Sequence, residues 1–307
     1  MKVLILGSNG FVGTALSKKL IEKDSSLDII CSTRNDTNLF DLNSTKKLLI
    51  NIKPDVLINA AARVGGIHAN NTLRTEFILQ NLKINTNVLE SCINFPNIKI
   101  INLGSSCIYP ANVKNPIKES SIMTGKLEST NSPYAMAKLA AIEIGNSLKQ
   151  QYGHQVINLM PTNLYGPGDK FTEFESHVIP GLIYRMHNSK LQNDRSFNIW
   201  GSGKPLREFL YIDDLVDAIS FIISNNINEE ILNIGSGVEV SIKVLAEKIK
   251  KIIKYNGEIK FDQTMPDGIE RKLLDTSILN SLGWKSKIDL DNGLKITYEW
   301  FKKNINF

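Results

Sequence analysis

Val3-Leu-Ile-Leu-Gly-Ser-Asn-Gly-Phe-Val-Gly13 decides the fold, because it joins an apolar run to an amphipathic one through three closely spaced glycines. Val3 to Leu6 predicts a buried strand, and the residues up to about Glu22 predict a helix. Glycines at such a junction permit a tight turn and let the backbone approach a pyrophosphate at the helix N-terminus. The stretch predicts a dinucleotide-binding loop; the alternative is a strand–helix turn that needs glycines only for its geometry.

The first half of the chain continues the same alternation of short apolar runs and amphipathic stretches. Further strands are predicted at 27–32, 55–59, 98–103 and 154–160, and helices at 44–52, 72–95 and 132–152. Alternating strands and helices indicate a parallel sheet with right-handed crossovers, and continuous Val/Ile/Leu runs fit strands covered on both faces. We therefore predict an α/β fold of Rossmann type, a doubly wound parallel sheet, in residues 1–168.

The pattern becomes less regular after Gly168. Residues 169–307 are predicted to form mainly a smaller α/β domain that binds substrate. Segments near 205–236 are expected to return to the first domain, with strands at 207–214 and 231–234 that rejoin its sheet.

Composition restricts the class of protein. The 307 residues are 42% hydrophobic and 22% charged, which excludes collagen-like and disordered chains. The 36 basic and 31 acidic residues leave a charge of +5, too small to indicate a nucleic-acid partner. Three scattered cysteines suit neither a disulfide framework nor a metal site, and no apolar run reaches the ~20 residues of a membrane span. We expect a cytoplasmic protein without metal, nucleic-acid or membrane partners.

The end of the second predicted strand bears on cofactor choice. Dinucleotide sites for NAD place an acidic residue here for the ribose 2′-hydroxyl, whereas NADP sites use an arginine. Arg34 stands at this point and favours NADP(H), and Asp41 lies where it would contact the adenine. A solvated loop charge is the alternative for Arg34.

Tyr134 and Lys138 are spaced i, i+4, so both side chains share one face of the helix predicted after the fourth strand. An ammonium beside a phenol favours the phenolate, which suits proton transfer to a sugar or carbonyl oxygen. Ser105, at the end of the preceding strand, carries a hydroxyl suited to bind a substrate oxygen. The alternative is a pair of ordinary surface residues.

Taken together, the glycine loop, the Ser–Tyr–Lys set and the element order resemble an extended short-chain dehydrogenase/reductase. More specific stretches resemble the GDP-L-fucose synthase family over nearly the whole chain. These stretches are Ala60-Ala-Ala-Arg-Val-Gly-Gly-Ile67 with Asn70-Asn71, Leu103-Gly-Ser-Ser-Cys-Ile-Tyr-Pro110, Met160-Pro-Thr-Asn-Leu-Tyr-Gly-Pro-Gly168, Ser176-His-Val-Ile-Pro180, Trp200-Gly-Ser-Gly203, Arg207-Glu-Phe, Pro266-Asp-Gly and Arg271-Lys-Leu-Leu-Asp275.

The resemblance implies a bifunctional, NADPH-dependent 3,5-epimerase and 4-reductase that converts GDP-4-keto-6-deoxy-D-mannose to GDP-L-fucose. The C4 ketone acidifies C3 and C5, and inversion at each carbon needs a base on one face and an acid on the other. By resemblance, Cys107 is the base and His177 the acid, whose ordinary pKa values lie within about two units of neutrality. Ser105 and Tyr134 act at the C4 oxygen, while Lys138 holds the nicotinamide ribose and lowers the tyrosine pKa.

Binding residues are also implied by the resemblance. Those for NADP(H) are Gly7, Ser8, Asn9, Gly10, Phe11, Val12, Gly13, Arg34, Asp41, Ala60, Ala61, Leu103, Gly104, Lys138, Pro161, Asn163, Leu164 and His177. Those for the GDP-sugar are Arg185, Trp200, Arg207, Asp267 and Lys272, whose cations suit a diphosphate and whose tryptophan offers an aromatic wall. Many family members carry His-Arg where this chain has Ser8-Asn9, which leaves Arg34 as the main candidate for a 2′-phosphate.

Three rivals stand beside this interpretation. One is a reductase of another GDP-4-keto-6-deoxy sugar, such as a colitose or deoxyheptose precursor, with or without epimerisation. Another is a UDP-sugar 4-epimerase, against which Arg34 and the Cys107/His177 pair count. The third is a silent dinucleotide-binding sensor, which usually loses part of the Ser–Tyr–Lys set. Fold analogy further predicts a homodimer, with helices near 73–93 and 132–152 pairing as a four-helix bundle.

Overall fold

A parallel sheet of six strands forms the centre of the structure, a computed structural model that describes residues 1–173, 175–265 and 267–305. Pro266, the first residue of one quoted motif, lies outside the described residues. The strands of this sheet follow the order β2-β1-β3-β4-β5-β9. They are β1 (Lys2–Leu6), β2 (Asp28–Ser32), β3 (Val56–Asn59), β4 (Lys99–Leu103), β5 (Gln155–Pro161) and β9 (Ile231–Ile234).

Helices cover both faces of the sheet. Those that connect or flank its strands are α1 (Phe11–Lys23), α2 (Leu42–Ile52), α3 (Ile67–Thr72), α4 (Arg74–Cys92), α5 (Ser132–Tyr152) and α7 (Ile212–Ser224). Successive side chains of a strand point to opposite faces. Val3 and Ile5 accordingly pack into a cluster with residues of α1 and α7, whereas Leu4 and Leu6 pack with residues of α2, α4 and α5. The predicted doubly wound sheet is confirmed.

The remaining elements form a smaller part beside the carboxyl end of this sheet. A four-stranded sheet contains β6 (Asn163–Tyr165), β8 (Leu206–Tyr211), β10 (Glu239–Ser241) and β12 (Arg271–Lys272). A two-stranded sheet contains β7 (Ser196–Trp200) and β11 (Glu258–Asp262). The helices here are α6 (Val178–Leu191), α8 (Ile242–Ile253), α9 (Ser277–Ser281) and α10 (Leu290–Asn304). Among the described residues, no helix combines the length and apolarity required to span a bilayer.

The expected return of the chain to the large sheet is correct for one strand and wrong for the other. β9 pairs in parallel with β5, as predicted for 231–234. The apolar run at 207–214 instead divides into β8, which pairs with β6 in the smaller sheet, and the start of α7. β9 already occupies the edge beside β5, so β8 has no place in the large sheet.

The helix predicted at 72–95 is interrupted near its start. α3 ends at Thr72 and α4 begins at Arg74, and Leu73 between them has φ −107° and ψ 43°, outside the helical range. By contrast, α5 has the predicted bounds of 132–152, with Pro133 in its first turn and Gly153 in a left-handed conformation at its end.

Three buried asparagines form a hydrogen-bonded ladder across the middle of the sheet. Asn59 on β3 donates to Asn102 on β4 at 3.3 Å, and Asn102 donates to Asn158 on β5 at 3.1 Å. All three side chains are at most 1% exposed. Asn85 of α4 joins the ladder and donates to the carbonyl of Ala137 on α5, so the network ties the sheet to the helix that carries Tyr134.

We expect Asn102→Ala to lower the free energy of unfolding by about 2 kcal/mol or more, because it leaves buried polar atoms of Asn59 and Asn158 with fewer partners. Urea denaturation measures this change. Asn198→Ala, which removes an exposed strand asparagine, is the matched control and should alter the free energy of unfolding by less than about 0.5 kcal/mol. Equal effects of the two substitutions would show that the ladder does not stabilise the sheet.

Candidate functional site

The carboxyl end of the sheet carries the predicted dinucleotide loop. The strand order reverses on the two sides of β1, and ligands of such sheets bind in the crevice at that point. Gly7 has φ +73°, and a Cβ on Gly13 would lie 2.1 Å from the Gly7 carbonyl oxygen, so neither position accepts a larger residue. No side chain caps the first turn of α1, which begins after Gly10. The loop therefore fits a pyrophosphate held by backbone N–H groups.

The turn after β2 contains the residues predicted to select the cofactor. Arg34 is exposed in this turn, which is closed by hydrogen bonds from the backbone N–H and hydroxyl of Thr33 to Asp36. These two bonds hold the pKa of Asp36 below its usual value. The carboxylate of Asp41 accepts from the N–H groups of Asn43 and Ser44 and caps α2. Asp41 thus has a structural role, and its contact with adenine stays a prediction.

Further residues predicted to bind the cofactor lie near the ends of the neighbouring strands. Those at or just beyond the ends of β3, β4 and β5 are Ala60, Ala61, Leu103, Gly104 and Pro161. Asn163 and Leu164 lie one step further, on β6, where the Asn163 side chain donates to the carbonyl of Glu208 at 2.8 Å. The structure therefore places this set along one edge of the sheet, as parallel strands require.

Tyr134 and Lys138 lie one turn apart on α5, and both side chains are buried. The Lys138 ammonium donates to the carbonyl of Leu103 at 2.6 Å and lies 5.8 Å from the centroid of the Tyr134 ring. Burial lowers the pKa of Lys138 to about 8, so its charge is fully present only below that pH.

The expected lowering of the tyrosine pKa by Lys138 is not found. Burial raises the pKa of Tyr134, the nearby Cys107 raises it further, and a hydrogen bond with Ser105 lowers it in part. The lysine faces the aromatic ring and bonds to a carbonyl, so burial prevails at the hydroxyl. Tyr134 consequently keeps its proton at neutral pH, as a group that donates a proton to an alkoxide must.

Cys107 lies in the 3₁₀ turn Ser106–Ile108 that follows β4, and Ser105 directly precedes this turn. The Ser105 hydroxyl accepts from the backbone N–H of Cys107 at 3.2 Å and caps this turn. Cys107 is partly exposed, and its sulfur lies 3.7 Å from the ammonium of Lys272. The Lys272 ammonium is thus placed to donate a hydrogen bond to this sulfur. The structure thus assembles a serine, a cysteine and a tyrosine at one point of the sheet edge.

Lys272 and Arg207 are neighbours in register on β12 and β8. Side chains in register on adjacent strands point to the same face, so both cations lie on the face that carries Cys107. Arg207 donates to the carbonyl of Leu206 at 2.8 Å, and burial lowers its pKa while Asp267 opposes that shift. The Lys272 side chain, which is predicted to bind the diphosphate, therefore also contacts Cys107.

Asp267 ties two loops of the predicted substrate site together. Its carboxylate accepts from the backbone N–H of Ser202 at 2.8 Å and from the Ser202 hydroxyl at 2.6 Å. Trp200, two residues earlier, is 55% exposed and offers an aromatic face. Arg185 on α6 stacks over the ring of Phe197 at 5.2 Å, with its pKa lowered by burial. Arg207, Asp267 and Trp200 form one wall, while Arg185 lies on a neighbouring helix.

His177 immediately precedes α6, and its side chain is 46% exposed. Partial loss of hydration in the cleft lowers its pKa. The Nδ1 atom lies 4.0 Å from a carboxylate oxygen of Asp169, a buried residue that the sequence reasoning missed. Its sequence signal is an aspartate eight positions before the histidine, which carries meaning only once the loop between them is folded.

Known proteins resemble this chain over most of its length. Residues 3–235 match the model of the NAD dependent epimerase/dehydratase family. The sequence is 44% identical over 304 residues to GDP-L-fucose synthase 1 of Arabidopsis thaliana, covering 99% of this chain and 94% of the relative.

Two solved structures share the whole architecture. A GDP-6-OMe-4-keto-L-xylo-heptose reductase from C. jejuni superposes with a TM-score of 0.91 at 32% identity, covering 99% of this chain and 98% of its own. A GDP-L-fucose synthetase from Naegleria fowleri bound to NADP superposes with a TM-score of 0.88 at 26% identity, covering 99% and 94%.

Proposed function

Because the chain belongs to the NAD dependent epimerase/dehydratase family, we propose that it converts GDP-4-keto-6-deoxy-D-mannose to GDP-L-fucose as an NADPH-dependent 3,5-epimerase and 4-reductase. The observation that carries this proposal is the meeting of two sets of groups at the end of β4. Ser105, Tyr134 and Lys138 supply the groups of a carbonyl reductase, and Cys107 adds a base beside them.

Epimerisation requires a base that removes a proton next to the C4 ketone. The sulfur of Cys107, beside the Lys272 ammonium, serves as this base at C3 and C5. The carbanion is delocalised onto the ketone oxygen, where the Ser105 hydroxyl stabilises it. His177 returns a proton to the opposite face of each carbon, which inverts the configuration.

Reduction follows at the same carbonyl. NADPH, when bound, supplies a hydride to C4. Tyr134 donates its proton to the oxygen that becomes an alkoxide, because burial keeps this hydroxyl protonated. Lys138, held by the carbonyl of Leu103, binds the nicotinamide ribose and keeps a positive charge near the reacting oxygen. One site thus performs both reactions.

The proposed cofactor is NADP(H), held by the glycine loop at its pyrophosphate and by Arg34 at its 2′-phosphate. We expect Arg34→Ala to raise KM for NADPH by about 10- to 100-fold, since it removes a charge-assisted hydrogen bond, and to change KM for NADH by less than about threefold. Steady-state kinetics with both cofactors measure this difference. Arg195→Ala, at an exposed arginine before β7, is the control and should change neither value. A similar rise for both cofactors would contradict a role at the 2′-phosphate.

The GDP-sugar is proposed to lie against the wall of Trp200, Arg207 and Asp267, with Arg185 nearby and its ketone at Cys107. A reductase of a colitose or deoxyheptose precursor is the second candidate, since a heptose reductase structure is similar at 32% identity, but the 44% identity to a GDP-L-fucose synthase favours the fucose product. We further propose that the enzyme is cytoplasmic and that α4 and α5 pair with those of a second subunit in a four-helix bundle.

A comparison of substrates tests the proposed function. Purified protein and NADPH are given, separately, GDP-4-keto-6-deoxy-D-mannose, a colitose precursor and a deoxyheptose precursor, and NADPH oxidation is followed by absorbance. We expect kcat/KM to be highest for GDP-4-keto-6-deoxy-D-mannose, with GDP-L-fucose as the product. A value more than about tenfold higher for either rival ketone would replace the proposed substrate.

A further inference from the structure

Asp169 is a buried carboxylate for which the reaction described above has no use. The residue is 8% exposed, and it lies in the loop that joins β6 to α6. One carboxylate oxygen, Oδ1, accepts from the backbone N–H of Lys170 at 2.7 Å. The other, Oδ2, is buried and has no hydrogen-bond partner among the residues that the structure describes. A buried carboxylate oxygen without a partner is costly and needs an explanation.

The loop around Asp169 is held in place by other groups. The Ser176 hydroxyl accepts from the backbone N–H of Thr172 at 2.6 Å, and it also donates to a carbonyl of the same loop. The backbone N–H of Gly66, after β3, donates to the carbonyl of Glu175 at 3.2 Å and fastens the loop to the edge of the large sheet. These contacts hold the loop in addition to the bond that the Asp169 carboxylate accepts from Lys170.

The imidazole of His177 lies directly in front of this carboxylate. The distance from His177 Nδ1 to Asp169 Oδ1 is 4.0 Å, beyond hydrogen-bond range, so a bond between the two side chains requires them to approach each other. Oδ1 is the oxygen that already accepts from Lys170, and the unpartnered oxygen is Oδ2. With Nδ1 on the buried side, the Nε2 atom is left for the exposed side of the ring. Burial raises the pKa of Asp169 to about 7 and lowers the pKa of His177, so the carboxylate binds a proton more readily, and the imidazole less readily, than when exposed.

His177 lies at the start of α6, where an acidic partner would stabilise its protonated imidazole. A helix N-terminus disfavours a positively charged imidazole, which is the form that must donate a proton. A carboxylate at Nδ1 compensates for that effect and fixes the ring tautomer. Three other charged side chains lie in the loop. Lys170 and Glu175 form an exposed ion pair with each other, and the charge of Glu173 raises the pKa of Arg185.

We propose that Asp169 is a positioning residue that accepts the Nδ1–H of His177 and thereby presents Nε2 as the proton donor to the substrate carbon. This inference rests on the proposed epimerase function. In each inversion a C–H bond breaks to the Cys107 thiolate, and a new C–H bond forms with the proton of His177 Nε2. The products are a thiol and a neutral imidazole that keeps its Nδ1–H on Asp169. A proton then passes from the thiol to Nε2 through solvent and restores both groups.

Nitrogen NMR of the imidazole rings tests the pairing without any substrate. The protein has four histidines, and the His177 signals are assigned by comparison with His177→Asn. We expect neutral His177 to carry its proton on Nδ1 in the unaltered enzyme and on Nε2 in Asp169→Asn, whose amide donates to the ring instead. A wild-type His177 with its proton on Nε2 would overturn the proposal, whether or not the variant folds.

Deuterium incorporation from deuterated water tests the consequence for epimerisation. Asp169→Asn should lower incorporation at C3 and C5 on the order of 100-fold and leave the Kd for NADPH unchanged. Glu175→Gln, which alters an exposed carboxylate of the same loop, should behave as the unaltered enzyme. Normal incorporation in Asp169→Asn, or an equal loss in Glu175→Gln, would refute the role of Asp169. If the unaltered enzyme does not turn over the sugar at all, the proposed function fails while the tautomer result still decides the pairing.

Discussion

Replacing Tyr134 by phenylalanine is expected to lower kcat for NADPH oxidation by about 1,000-fold, within the range that general acid catalysis usually contributes. The alkoxide formed at C4 would lose the buried hydroxyl that donates to it, and Lys138 cannot substitute because its ammonium is bound to the carbonyl of Leu103. Stopped-flow absorbance with GDP-4-keto-6-deoxy-D-mannose measures this rate.

The same variant should leave epimerisation largely intact, because the groups assigned to C3 and C5 are Cys107 and His177. Deuterium should therefore still enter the unreduced substrate. Tyr152→Phe, at the end of the same helix and 43% exposed, is the matched control and should retain full activity. Reduction by Tyr134→Phe within about fivefold of the unaltered rate would exclude Tyr134 as the proton donor.

The second large effect is expected for Cys107→Ser. A serine hydroxyl is a far weaker base than a cysteine near neutral pH, so deuterium incorporation at C3 and C5 should fall by at least about 100-fold. Binding of NADPH should be unaffected, since the glycine loop and the turn at Arg34 lie elsewhere on the sheet edge. Proton NMR of the recovered sugar in deuterated water measures the incorporation.

Cys31→Ser provides the control for this substitution, because Cys31 is an exposed cysteine on β2. It should incorporate deuterium at the rate of the unaltered enzyme. Unchanged incorporation in Cys107→Ser would refute the assignment of the base and direct attention to Lys272, whose ammonium lies 3.7 Å from the sulfur.

Much of the large sheet follows from local sequence. The glycine loop, β1 and α5 were predictable because each carries its own signals, namely glycines at a junction, a continuous apolar run and a proline near the first turn. The run at 207–214 was misassigned to the large sheet, because the strand that occupies a sheet edge depends on competition with distant segments such as β9.

The contacts that refine the site were not predictable from the sequence. Lys272 and Cys107 are 165 residues apart, and Asn59 meets Asn102 across 43 residues. The local sequence around these residues does not show that the two members of either pair are in contact. The i, i+4 spacing of Lys138 predicts a lowered pKa for Tyr134, but burial raises this pKa. Spacing along a helix does not show that the Lys138 ammonium donates to the carbonyl of Leu103.

The central claim is that one site both inverts C3 and C5 and reduces C4. Incubation of the protein with GDP-4-keto-6-deoxy-D-mannose and unlabelled NADPH in deuterated water, followed by NMR of the product, tests it most directly. We expect GDP-L-fucose with deuterium at C3 and C5 and with protium at C4, delivered as hydride. A reduced product without deuterium at C3 and C5 would contradict it and leave a simple ketone reductase.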